Sequence, residues 1–464
     1  MIILPEKFKE EIRILLDAES ESFFLALEKE PITSVRKNPF KPSTIFDEEE
    51  KVEWCDEGRY LKLRPSFIAD PLFHAGAYYV QESSSMFLNH VLKTVLSQID
   101  QPLKVLDLCA APGGKSTLIN SLLSDNDLLV SNEIIRSRVD VLDENMMRWG
   151  QPNVFISNND PKDFSSLTTF FDIILVDAPC SGEGMFRKDK NAISEWSENN
   201  VQLCAGRQQR IIEDVLPALK PGGFLIYSTC TFNKKENEEN VAWMMNEFGL
   251  LNIKIDTNEN HQIIKSSVTS SGVEKQQINA YRFFPHKVKG EGLFITVLQK
   301  PADINVTPKY RDQKLTFVQR KNLDEIKIWL NKPDEFEFIE WNKNIHAIRK
   351  SQIKNLSILA KYLHLKNAGI LMGEMMKDKL IPSHYLALSN ALSKDVKSID
   401  ITKEEAIKFL RKDTLILNNK YEQGIYLLKY EGLGIGWVKV LQNRINNYLP
   451  THLRILKEFN NLQF

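Results

Sequence analysis

Between Lys104 and about Lys300 the chain alternates short, uninterrupted apolar runs with longer stretches whose apolar residues recur at helical spacing. The runs are Lys104-Val-Leu-Asp-Leu, Leu128-Leu-Val-Ser-Asn, Val154-Phe-Ile-Ser, Phe171-Asp-Ile-Ile-Leu-Val and Gly223-Phe-Leu-Ile-Tyr-Ser, followed later by Leu293-Phe-Ile-Thr-Val-Leu. A strand that is apolar at nearly every position has to be covered on both faces. The pattern therefore predicts an α/β fold, a mostly parallel sheet between helical layers, with the last run as a late edge strand. Ligands of such a sheet gather outside the carboxyl ends of its strands.

Upstream, Glu6 to Leu16 and Glu19 to Glu30 read as two amphipathic helices, the second stopped by Pro31. Thr33 to Pro42 reads as a short basic strand leaving into a proline-limited loop, and Phe46-Asp-Glu-Glu-Glu-Lys as an acidic, solvated linker. Residues 257–280, rich in Ser, Asn, Gln and Lys, read as a loop excursion. Residues 314–370 mix helix and strand signals, whereas the end, from Glu404 to Arg454, reads as one helix and several short strands. The predicted units are residues 1–100, 101–300, 301–375 (a linker and intermediate domain) and 376–464.

A length of 464 residues with 42% apolar and 26% charged residues belongs to a multidomain globular protein. No stretch approaches the ~18 apolar residues of a membrane span, and Met1-Ile-Ile-Leu-Pro-Glu-Lys turns polar too early for a secretory signal, so a cytoplasmic location is expected. Five cysteines at irregular spacing, without a Cys-x-x-Cys pair, fit reduced thiols and argue against a disulfide framework or a zinc site. The net charge of −1 conceals a polarity: from residue 301 onward 27 Lys and Arg face 18 Asp and Glu, while the remainder carries an excess of ten acidic residues. A basic C-terminal third can supply phosphate contacts, with a salt slope near −0.7 to −0.9 per phosphate neutralised, or simply be a solvated surface.

The segment Val105-Leu-Asp-Leu-Cys-Ala-Ala-Pro-Gly-Gly-Lys-Ser-Thr runs from a strand through a glycine turn into a helix, which is how such sheets build a nucleotide-type cofactor pocket. Ser116 is the expected cap of a helix starting near Thr117. A phosphate loop, which Lys115-Ser-Thr after two glycines invites, is disfavoured, because its first glycine would fall at position 109, which is Cys109. Glu133 closes the next strand 26 residues after Asp107, Asp160 follows the third strand and Asp177 the fourth. Four carboxylates at successive strand ends form a rim of acceptors suited to a cationic, adenosine-bearing ligand such as S-adenosylmethionine; the alternative is that each caps a following helix.

Two of the five cysteines end predicted strands: Cys180 in Asp177-Ala-Pro-Cys-Ser-Gly and Cys230 in Tyr227-Ser-Thr-Cys-Thr-Phe. Paired with a methyl-donor pocket, they point to covalent chemistry on a pyrimidine. Carbon 5 of cytosine is a poor nucleophile until a thiolate adds at carbon 6, which divides one difficult step into two easier ones. The scheme needs a nucleophilic cysteine, an acidic group at nitrogen 3 and a group that assists release. Cys55, Cys109 and Cys204 read instead as unreactive thiols.

Those three segments resemble the Nol/Nop/Sun family of RNA (cytosine-5)-methyltransferases, most closely its bacterial, RsmF-type branch acting on small-subunit ribosomal RNA. Supporting similarity lies at Tyr79-Val-Gln-Glu-Ser-Ser and Arg282-Phe-Phe-Pro. The resemblance is strong over about residues 30–300 and weaker over the tail. It implies a Rossmann-like S-adenosylmethionine-dependent methyltransferase sheet, an N-terminal α/β RNA-binding domain and a C-terminal PUA-like α+β extension. It implies that Cys230 is the nucleophile, that Cys180 helps release the product and that Asp177 acts with them. Cys109, Ala110, Ala111, Pro112, Gly113, Gly114, Lys115, Glu133, Asp160 and Asp177 would contact the cofactor or base, without a metal. Asn132 before Glu133 and the Asn158-Asn-Asp setting of Asp160 are the small departures. The expected partner is RNA, as ribosomal RNA or the small ribosomal subunit, with no membrane; transfer RNA is an alternative substrate. A DNA cytosine methyltransferase is disfavoured by the Thr-Cys cysteine, and an assembly factor whose methylation is dispensable by the intact cysteines and glycine loop. Arg36, Lys37 and Lys41, and in the tail Tyr448, His452 and Arg454, are candidate RNA contacts, whereas Trp437 reads as core.

Overall fold

The two N-terminal amphipathic segments form helices Glu6–Leu16 and Ser20–Leu27 in the computed structural model, which describes residues 3–99, 102–258, 261–266, 278–302, 308–417 and 420–457. Their apolar faces pack onto the central body: Phe8 meets Phe186 and Trp196 edge-on with ring centroids 4.9 and 5.9 Å apart, and Phe23 meets Phe232 at 5.1 Å. Next comes a four-stranded sheet, β1 (Thr33–Lys37), β2 (Glu50–Val52), β3 (Cys55–Leu61) and β4 (Tyr78–Val80), in the order β2-β3-β1-β4.

The predicted apolar runs become β5 (Lys104–Asp107), β6 (Leu128–Asn132), β7 (Val154–Ser157), β8 (Phe171–Asp177) and β9 (Leu219–Thr229). These five are parallel, in the order β9-β8-β5-β6-β7. Alternation along each strand sends side chains to opposite layers. Val105, Leu129, Ile173, Leu175 and Ile226 join one core, and Leu106, Val130, Ile174, Val176, Leu225 and Tyr227 join the other. Because both faces are buried, the runs had to be apolar throughout.

The sheet continues through β10 (Leu251–Ile253), β11 (Ile264–Ser266), β12 (Ala280–Phe283) and β13 (Leu293–Gln299). The late strand β13 is not an edge: it lies between β9 and β12, antiparallel to both, and β10 also pairs with it. Its uninterrupted apolar character already matched an interior position. Most of the predicted loop excursion falls outside the described residues.

The stretch 314–370, whose sequence mixes helix and strand signals, contains β14 (Phe336–Trp341), β15 (Asn344–Arg349) and β16 (Leu365–Ala368), followed by β17 (Ile370–Met376) and β18 (Lys379–Pro382). Four of these make a separate sheet, β14-β15-β17-β18, whereas β16 pairs antiparallel with β7 and extends the central sheet. The tail is a fourth sheet, β19 (Ser398–Asp400), β20 (Gly424–Tyr430), β21 (Leu433–Val440) and β22 (Ile445–Asn447), packed with helix Lys403–Arg411. That helix begins with a capping box in which Thr402 and Glu405 satisfy each other's backbone. Among the described residues no helix is long and apolar enough to cross a membrane.

Candidate active site

The carboxyl ends of β5, β6, β8 and β9 converge on one edge of the sheet, and the predicted motifs occupy that edge. After Asp107 the chain turns through Cys109 to Gly113, whose φ of +112° demands glycine, and helix Gly114–Leu122 starts at once. The turn is fixed by Ala110 N–H donating to Asn132 O at 2.8 Å and Gly113 N–H to Ala110 O at 2.8 Å. The Pro112 carbonyl accepts from Asn145 Nδ2 at 2.7 Å, and the Ala111 carbonyl from Arg138 at 2.7 Å.

Ser116 is not the helix cap. The helix starts two residues earlier, and Ser116 Oγ donates instead to Asp107 Oδ2 at 2.6 Å. Asp107 is fully buried, and its Oδ1 has no hydrogen-bond partner. Burial pushes its carboxyl up to about 7, opposed by the Ser116 bond and reinforced by Asp177 nearby. A buried, unmatched acceptor at the cofactor loop, with Glu133 and Asp177 close enough to be felt electrostatically, fits a cationic ligand. The acceptor set here therefore suits S-adenosylmethionine.

The other carboxylates divide. Glu133 is 3% exposed; its Oε1 accepts from Ile135 N–H at 2.9 Å, and Arg138 stands 3.4 Å from Oε2. Asp160 caps the short helical turn Pro161–Ser166 in a capping box with Asp163, so the capping alternative describes this residue. Asp177 Oδ1 accepts from Ser228 Oγ at 2.8 Å, and its Oδ2 pairs with Lys115 Nζ at 2.8 Å. Lys115 is mostly buried; burial lowers its proton affinity, but Asp177 and the nearby Cys230 outweigh that and hold it charged. This ammonium therefore lies within electrostatic reach of Cys230.

Cys180 and Cys230, fifty residues apart, meet with their sulfurs 3.0 Å apart. Cys230 N–H also points at Cys180 Sγ at 3.4 Å. The thiol of Cys180 is raised well above its ordinary range, first by its hydrogen bond to Cys230 and then by burial. Cys55 and Cys204 are buried, and burial pushes their thiols and that of Cys109 up. All five cysteines are free. Among the described residues no cluster of three or more His, Cys, Asp or Glu is arranged to hold a metal.

Models of 16S rRNA methyltransferase RsmB/F, of the N-terminal domain of 16S rRNA methyltransferase RsmF and of the methyltransferase RsmF PUA domain match residues 94–299, 4–83 and 396–455. Curated proteins called ribosomal RNA small subunit methyltransferase F are similar along nearly the whole chain. The protein of Vibrio campbellii is 30% identical, covering 97% of this chain and 98% of its own length, and that of Vibrio parahaemolyticus 31%, with the same coverage. The chain belongs to the RsmF family of 16S rRNA methyltransferases. The fold agrees: a methyltransferase homolog from Pyrococcus horikoshii superposes with a TM-score of 0.55 at 27% identity, over 64% of this chain and 95% of its own. RsmF-type chains thus join a Rossmann-like methyltransferase sheet to an N-terminal domain and a PUA domain. The family implies S-adenosylmethionine as methyl donor and RNA as substrate.

The basic residues expected to touch RNA near the first sheet do other work. Arg36 is 1% exposed, donates to Gln81 Oε1, Thr117 Oγ1 and Ser121 Oγ at 2.7, 2.6 and 3.2 Å, and lies 4.5 Å over the Trp149 ring. It ties β1 to the cofactor-loop helix. Lys41 is buried with its ammonium on the carbonyls of Ala75 and Arg148, at 2.8 and 2.6 Å, and Lys37 pairs with Asp47. Sequence reading counted their charges but could not see that helix-end carbonyls and polar side chains would absorb them. In the tail Trp437 is core, 1% exposed, with Nε1 donating to Ser383 O at 2.8 Å. His452 stands 3.6 Å from Glu144, and Arg454 Nε donates to Arg411 O at 2.8 Å.

Proposed function

We propose that this RsmF-family protein methylates carbon 5 of a cytosine in 16S ribosomal RNA, in the cytoplasm, with Cys230 as covalent nucleophile and Cys180 as the releasing group. The observation that carries this reading is the 3.0 Å approach of the two sulfurs beside the Lys115–Asp177 pair. When bound, S-adenosylmethionine would supply an electrophilic methyl group; Asp107, Glu133 and the loop Cys109 to Lys115 would hold it, with Asp160 at the margin.

In this scheme the target cytosine leaves its stack, since a paired base hides carbon 6 from a thiol. Lys115 stabilises the Cys230 thiolate, which bonds to carbon 6, while Asp177 accepts from the exocyclic amine beside nitrogen 3 and a proton from solvent neutralises the charge that develops on nitrogen 3. Carbon 5 thereby becomes nucleophilic and would take the methyl group from the sulfonium, whose carbon–sulfur bond breaks to leave S-adenosylhomocysteine. Water at the open edge then takes the proton from carbon 5, the carbon 5–carbon 6 double bond reforms, and the bond to Cys230 breaks. Cys180, held as a thiol against Cys230, donates its S–H to the departing sulfur. Residues 1–100 and 376–464 would position RNA around this edge.

Incubation with small ribosomal subunits and methyl-labelled S-adenosylmethionine, followed by digestion to nucleosides, tests the reading. Label in 5-methylcytidine that Cys230→Ala abolishes supports it; label in any other nucleoside overturns it.

A further inference from the structure

The two cysteine loops owe their close approach to a reciprocal arrangement of buried carboxylates. Glu183, three residues after Cys180, crosses to the other loop: its Oε2 accepts from the backbone N–H of Phe232 and Asn233 at 2.8 and 2.9 Å. Its Oε1 accepts from Trp196 Nε1 at 2.9 Å and Asn233 Nδ2 at 3.1 Å. Glu236, six residues after Cys230, crosses the opposite way: its Oε2 accepts from Ser181 N–H at 3.0 Å and Gln208 Nε2 at 2.8 Å, and its Oε1 from Asn233 Nδ2 at 2.7 Å. Each carboxylate therefore grips the backbone within a few residues of the other loop's cysteine. Glu183 is 1% and Glu236 0% exposed, and among the described residues neither joins a salt bridge.

A buried carboxylate without a cation is a costly way to hold two loops that apolar packing could hold. What a carboxylate offers is several acceptor sites with a fixed geometry, able to bind adjacent backbone N–H groups that have no strand partner. The loops are pressed together so closely that a Cβ at Gly184 would lie 2.7 Å from Cys230 O, which instead accepts from Gly184 N–H at 2.8 Å.

We propose that Glu183 and Glu236 are positioning residues that set the separation of Cys180 from Cys230, and so the rate at which the covalent adduct is released. The proposal rests on the two-cysteine reading above, but its geometric part can be tested without catalysis. Diamide, a thiol oxidant, converts the two thiols to a disulfide and is itself reduced to the hydrazine; the rate reports how often the sulfurs close from 3.0 Å to bonding distance.

The experiment uses full-length wild type, Glu183→Gln and Glu236→Gln. A glutamine has one oxygen and turns an N–H₂ toward donors that it cannot accept from. Peptide mass analysis should show Cys180–Cys230 disulfide formation slowed at least tenfold in each variant, with S-adenosylmethionine affinity within twofold of wild type. With RNA, each variant should accumulate protein-linked adduct while single-turnover methyl transfer falls less than release does. Wild-type cross-linking rates in both variants would overturn the proposal. Slow cross-linking in the glutamine variants, with no adduct in Cys180→Ala, would uphold the brace and refute the release role of Cys180. If a glutamine variant does not fold, Asn233→Ala, which removes the amide shared by both carboxylates, is measured in its place and should slow cross-linking in the same way.

Discussion

Arg282→Met should be among the most destabilising single substitutions in the central body. Arg282 is 3% exposed and makes a bidentate pair with Glu238, its Nε and Nη2 lying 2.6 and 2.5 Å from the two carboxylate oxygens, while Nη1 donates to Phe232 O at 2.7 Å. Methionine fills much of the volume but leaves Glu238, which is 0% exposed, as a buried charge without its guanidinium. Breaking a buried pair in this way costs about 3–5 kcal/mol. The orphaned Phe232 carbonyl falls within that range and does not add fully to it. For a cooperative unit of this size, 1 kcal/mol corresponds to about 2–4 °C, so the melting temperature should fall by roughly 6–20 °C. Differential scanning calorimetry of the full chain is the assay. The double variant Arg282→Met/Glu238→Leu removes both charges and should recover most of the loss, down to about 1–2 kcal/mol for the carbonyl. A shift below about 2 °C for the single variant, or a double variant as unstable as the summed singles, would refute the reasoning.

Three further outcomes are expected. Because burial raises Asp107 to about 7, its carboxyl is protonated below that pH, and affinity for S-adenosylmethionine should climb as pH rises from about 6 to 8; calorimetric titration should find Asp107→Asn flat over the same range. The same group works in the opposite sense on folding: the native state holds this proton more tightly than the unfolded chain, so its contribution to stability falls as pH rises from the ordinary 3.8 through about 7, which a pH series of melts should reveal as a difference from Asp107→Asn. Trp437→Phe should lose about 1 kcal/mol with its bond to Ser383, and filter binding should find RNA affinity within twofold; a tenfold loss of affinity at unchanged stability would return Trp437 to an RNA surface.

The parallel strands were legible because each is buried on two faces, which leaves no room for a polar alternation that could be mistaken for loop or helix. The position of Leu293–Gln299 was misjudged because order in the chain says little about order in the sheet: the strand re-enters between β9 and β12. Cys180, Cys230 and the glycine turn were visible as motifs, but the partner of each was not. Lys115 reads from the sequence as a cofactor contact of the glycine loop, and only the fold brings its ammonium to Asp177 and near Cys230. Glu183, Asn233 and Glu236 have no motif of their own in the sequence; polar residues beside a motif whose neighbours are buried are the available signal. Arg36 and Lys41 show the reverse failure: basic residues in a basic stretch read as surface, yet each is buried on acceptors contributed by distant segments.

The central claim, a covalent route in which one cysteine attacks and the other releases, is tested most directly by denaturing gels of wild type, Cys180→Ala, Cys230→Ala and the double variant after incubation with S-adenosylmethionine and small ribosomal subunits. Cys180→Ala alone should accumulate protein-linked RNA, and the double variant should lack it. An adduct that persists without Cys230 would reverse the two roles, and the absence of any adduct in Cys180→Ala beside an active wild type would contradict the release function of Cys180.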